Sequence, residues 1–123
     1  MSTIRANTLV NMDGVTAVTL TGQVAAKAWV NYNASTLTAL GSFNVSSITS
    51  NGTGDKTVTL TNAMLNSYFA VDGSNIGDTQ TYYACFICAA NQQALTSSTL
   101  RHRVNNYGGS LYDATTVSII VHR

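Results

Sequence analysis

Cys85 and Cys88 are the only cysteines of the chain and spell Cys-Phe-Ile-Cys. Such spacing suits zinc binding or disulfide exchange. A structural zinc site needs four ligands, usually a second pair, and His102 and His122 lack the spacing of one. A redox pair belongs at a helix start, whereas these two lie inside the apolar run 82–90. Residues three apart on a strand face opposite sides, which makes an internal disulfide awkward. Buried free thiols are expected, with no metal and no cofactor.

The carboxylates point the same way. Glutamate is absent, so a glycosidase-type pair would need two of the five aspartates. Asp55 falls in a turn and Asp72, Asp78 and Asp113 fall in loops by composition, where aspartate usually caps backbone locally. The stretch 72–78 offers oxygen ligands without EF-hand spacing. Asp113, His102 and a serine can be named as a triad, but the chain has no Gly-x-Ser-x-Gly elbow. No catalytic residue is assigned, and an enzyme is not expected.

Residues suited to contact are more informative. Arg101 and Arg103 alternate around His102, so on a strand they share one face, read as solvated or a subunit contact, with an anion site as the alternative. A net charge of +1 gives no basis for nucleic-acid binding. Trp29, the single tryptophan, is either core filler or an exposed platform for stacking a sugar. Tyr107 and Tyr112 lie in 105–113, whose Asn, Gly, Ser and Tyr suit an adaptable contact loop or a structural connector.

Strands must position these side chains. Charged residues make up 9% of the chain, and its polar surface falls instead to 18 Thr, 12 Ser and 12 Asn. Threonine's branched Cβ suits a pleated sheet, while a long helix draws on the Glu and Lys scarce here. Ala26, Ala28, Val30 and Tyr32 alternate with Lys27, Trp29, Asn31 and Asn33, as in a strand with one apolar face. Asn51-Gly52-Thr53-Gly54-Asp55 is the strongest turn signal, and 43–61 reads as a hairpin with a bulge at Ser46-Ser47. Further strands are expected at 67–71, at 80–90 as the central one, at 100–104 and at 116–121, with a loop at 72–78. The expected fold is all-β, an antiparallel, jelly-roll-like sandwich of about eight strands.

The chain divides into an arm, 1–23, and a β-sandwich knob, 24–123. Ile4, Leu9, Val10 and Met12 are too apolar for a free tail, so the segment is expected to dock on a neighbouring subunit or another protein, the alternative being a first strand of the same domain. No apolar run reaches the ~18 residues of a membrane span. No signal peptide is expected from the polar N-terminal segment.

Three stretches carry a resemblance: Lys27-Ala28-Trp29-Val30-Asn31-Tyr32-Asn33, Ser42-Phe43-Asn44-Val45-Ser46-Ser47-Ile48-Thr49, and Asn51-Gly52-Thr53-Gly54-Asp55-Lys56-Thr57-Val58-Thr59-Leu60. Together they resemble a β-module of tailed-bacteriophage virion proteins, often found at tail-fibre ends. The match covers 27–60, with weaker agreement to 71; Ala34 and Tyr32 stand where that family often has Gly and Phe. The resemblance implies a homotrimer on the virion surface, synthesised in the host cytoplasm, without catalytic residues. Only ~23 residues precede the module, too few for a fibre shaft. The expected function is therefore a capsid cement or decoration protein gripping the major capsid protein. The alternative is a tail-fibre or spike tip, or an adaptor, joined to fibre or baseplate protein and binding host-surface polysaccharide.

Overall fold

A computed structural model describes residues 26–76, 85–88 (backbone), 95–106 and 108–123. The expected arm, with Ile4, Leu9, Val10 and Met12, and the candidate Tyr107 lie outside the described residues. The described chain forms eight strands: β1 (Ala26–Asn33), β2 (Thr38–Phe43), β3 (Val45–Gly52), β4 (Asp55–Leu60), β5 (Ala70–Ile76), β6 (Cys85–Cys88), β7 (Thr99–Asn105) and β8 (Thr116–His122). They build two antiparallel sheets, ordered β2-β1-β8-β5 and β3-β4-β7-β6. The all-β expectation and the two-sheet sandwich are what the structure shows.

Alternation explains the core. Ala28, Val30 and Tyr32 of β1 and Val117, Ile119 and Val121 of β8 face Val58 and Leu60 of β4 and Leu100 and Val104 of β7. These are the four inner strands, so each buries one face against the opposite sheet. Tyr32 and His102 are both fully buried, and the Tyr32 hydroxyl lies 2.6 Å from His102 Nε2. This bond ties β1 of one sheet to β7 of the other across the apolar interior.

The hairpin forms as expected. β3 pairs with β4, with register shifts between Val45 and Ser47, at the expected bulge, and again between Ser50 and Gly52. Asn44 makes the preceding corner, where the chain leaves one sheet for the other. Its φ of 56° is left-handed, a conformation Asn tolerates better than most residues. Its side chain donates to the carbonyls of Lys27 (3.0 Å) and Asn62 (3.2 Å) and accepts from the Asn62 amide (2.7 Å).

Three expectations need correction. Asp72-Gly73-Ser74-Asn75 has turn composition yet lies within β5, while 67–69 precedes that strand. As a sheet edge, β5 needs only the ladder to the apolar β8, and tertiary pairing overrides weak propensity. The apolar segment expected at the centre contributes β6, which is an edge among the described strands. Apolarity reports burial rather than sheet order, and β5 approaches β6 from the other sheet. Jelly-roll closure would pair β2 with β7 and β4 with β5. Among the described strands, β2 pairs with β1 alone, and β4 lies between β3 and β7.

Candidate functional site

Charged residues converge where the β3–β4 turn meets the 105–113 loop. Asp55 opens β4 directly opposite Arg103 of β7 and diagonal to Arg101, an arrangement that lets one carboxylate serve two strand neighbours. Arg101 donates Nε to Oδ1 (2.7 Å) and Nη2 to Oδ2 (2.8 Å), and Arg103 donates Nε to Oδ2 (2.9 Å). Asn51 adds a 3.3 Å bond to Oδ1. The hydrogen bond from Arg101, helped by that from Arg103, holds this carboxyl well below the usual carboxylate range despite its burial.

Lys56, one residue on, points inward and is buried. Its ammonium donates to Asp113 Oδ1 (2.7 Å), the Gly52 carbonyl (2.6 Å) and Ser50 Oγ (3.1 Å). Three donors thus meet three acceptors, the condition for holding a cation out of water. Asp113 Oδ1 also accepts the Gly54 amide at 2.6 Å. Gly54 has φ +62°, and a Cβ there would lie 2.4 Å from the Tyr112 amide nitrogen and 2.6 Å from the Val104 carbonyl oxygen. Glycine alone permits this approach of turn to loop.

Arg101 and Arg103 share a face as expected; both clamp Asp55 and remain partly solvated. Tyr112 packs half-buried against the core. Its loop is closed by bonds from the Asn106 amide to the Ser110 carbonyl (2.8 Å) and from Asn105 Nδ2 to the Gly109 carbonyl (3.1 Å). These features suit a connector. Asp113 engages Lys56, and His102 engages Tyr32, so the nominal triad is not brought together. Burial holds the His102 imidazole neutral by lowering its pKa to about 4, and burial and then the Asp113 charge push the Tyr32 phenol up. With both side chains fully buried, this pair ties the sheets together where no substrate reaches.

Cys85 and Cys88 lie on β6, in register with Asn105 and His102. Asp72, a loop residue by composition, extends from β5, where its Oδ2 lies 3.4 Å from His122 Nε2. Among the described residues no group of three or more His, Cys, Asp or Glu is arranged to hold a metal ion.

The outer face of β2-β1-β8-β5 is the contrasting region. Trp29 is not in the core; it stands on this face, 41% exposed. Phe43 of β2 is its direct partner on one side and Ile120 of β8 on the other, and both are exposed. The indole lies over Gly41, where a Cβ would come 3.2 Å from two ring carbons. Beside it, a depression of about 250 Å³ is lined by residues including Asn31, Ser118 and Ile120. A second, of about 160 Å³, shares Ser118 and Ile120 and continues over Asp72, Gly73 and Ser74. The Asn31 Oδ1 atom is buried in this region without a hydrogen-bond partner. Neither Asn31 nor Ser118 stands out in the sequence; their outward alternation with Val30 and Ile119 is the signal that could have found them. No family model, curated protein or solved structure matches the chain.

Proposed function

We propose that the chain is a bacteriophage virion structural protein, a trimeric capsid cement that works by gripping neighbours. The supporting observation is how its charges are used. Of eight described Lys, Arg and Asp residues, five (Asp55, Lys56, Arg101, Arg103 and Asp113) are engaged in internal ion pairs at one end of the sandwich. Little charge remains for the surface, so association rests on apolar area and strand edges and is only weakly sensitive to salt. The stretches resembling the virion module supply the Asn44 corner and the Gly54 turn, both elements of the scaffold. A tail-fibre or spike tip is the second proposal, favoured by the exposed Trp29.

Quantitative mass spectrometry of purified virions tests the role. A cement protein is present at capsid-scale copy number in multiples of three. A handful of copies moves the chain to the tail, and its absence from virions ends the proposal. Sedimentation equilibrium tests the trimer separately: a stable monomer at micromolar concentration contradicts it.

A further inference from the structure

We propose that the outer face of β2-β1-β8-β5 binds a neutral saccharide, with Trp29 as the stacking platform and the groove over Asn31, Ser118, Ser74 and Asp72 as the hydroxyl-binding track. This rests on the second reading above, the fibre or spike tip, and adds the ligand class and the side chains that would hold it; virion copy number tests that reading separately.

A sugar ring presents an apolar C–H face and a rim of hydroxyls, so its receptor needs a flat apolar surface beside polar groups. Trp29 meets the first need, because Gly41 lets the indole lie down on β2 while two-fifths of the residue stays open. The groove meets the second. Its two depressions join at Ser118 and Ile120 and cross β1, β8 and β5, enough length for more than one ring. Ser118 and Ser74 are direct neighbours across β8 and β5, and Asn31 is the next position on β1. Hydroxyls and an amide therefore form one row beside the apolar row of Phe43, Trp29 and Ile120.

The polar row of Asn31, Ser118 and Ser74 beside the indole favours a saccharide over an apolar protein surface. Sugar hydroxyls can pair with the groove's own polar side chains, Ser118, Ser74 and Asp72. An apolar partner would strip water from these groups and leave them unpaired, at about 1–3 kcal/mol each. Charge narrows the class further. Among the described residues, Asp72 is the only charged one lining the groove; His122 Nε2 lies 3.4 Å from its Oδ2, and the carboxylate accepts hydrogen bonds from hydroxyls and repels carboxylated sugars.

Trp29 is the only tryptophan, so intrinsic fluorescence reports on this face alone. The native protein is titrated with dextran, mannan, galactan and chitohexaose, with polygalacturonate as the anionic control. At least one neutral glycan should give a saturable change in emission, and polygalacturonate should give none. Calorimetry with that glycan should show at least about tenfold weaker binding by Trp29→Ala. Ser118→Ala and Asp72→Asn should bind several-fold less well, with unchanged thermal unfolding. Failure of all four neutral glycans, or a preference for polygalacturonate, overturns the proposal. So does an oligomer that shields Trp29 and dissociates in Trp29→Ala, since the face would then be a subunit contact.

Discussion

The two sheets face outward with opposite chemistry. On β3-β4-β7 the outward rows are Ser47, Thr59 and Thr99, then Thr49, Thr57 and Arg101, and finally the Asp55 clamp. Short polar side chains satisfy water there, and the charges are neutralised within the fold. On β2-β1-β8 the corresponding row is Phe43, Trp29 and Ile120, all exposed. One outer face is committed to stability, while the other leaves large apolar groups exposed among the described residues. Exposed aromatic groups set beside polar grooves mark contact surfaces rather than structural necessity. Substitutions on the first face and its turn should therefore cost stability, and those on the second should cost binding.

The largest effect is expected at the turn. Gly54→Ala combines a left-handed φ with contacts at 2.4 and 2.6 Å to backbone. It should destabilise the fold by about 3–5 kcal/mol in urea unfolding. A change below about 1 kcal/mol would mean the turn does not dock on the 105–113 loop.

Acid should act next. The His102 pKa is lowered from 6.5 to about 4 in the folded state, so between these values the unfolded chain binds the extra proton. Stability is therefore full above pH 6.5 and declines as pH falls toward 4, by about 3 kcal/mol at most. The Asp55 carboxyl, also depressed in the fold, adds to the loss only below its unfolded value of 3.8. Urea midpoints measured across this range check the slope, and His102→Phe should flatten it above pH 4.

Asp55→Ala should cost about 2–3 kcal/mol. It leaves Arg101 and Arg103 side by side, but both are partly solvated, which moderates the penalty. Asn44→Ala should cost about 1–2 kcal/mol for its lost bonds and left-handed backbone, and Asn44→Gly somewhat less. Trp29→Ala should change stability least, by about 1 kcal/mol or less, since its ring contacts lie outside the core. Thermal unfolding of the four variants places them in order.

Sequence alternation made much of this legible. Val58 and Leu60 inward with threonines outward, the 43–61 hairpin and its bulge, and the strands around Leu100–Val104 and 116–121 all follow from a period of two. The site was less legible because its partners are distant in the chain. Asp55 meets Arg101 across 46 residues, Lys56 meets Asp113 across 57, and Tyr32 meets His102 across 70. A lysine inside an alternating strand gives no sign that a loop carboxylate will meet it. The sequence also left Trp29 open between core and surface, because strand alternation puts it opposite Val30 without saying which face of the sheet is covered. The β5 edge was missed because Asp-Gly-Ser-Asn is turn-like composition, and only pairing with β8 makes it a strand.

Acrylamide quenching of Trp29 tests most directly whether the β2-β1-β8-β5 face stands open for a partner. In the native protein alone, quenching should approach that of the urea-unfolded chain and should fall when a bound neutral glycan covers the indole. A blue-shifted emission that acrylamide barely reaches in the isolated native protein would contradict the account, because the face would then already be covered.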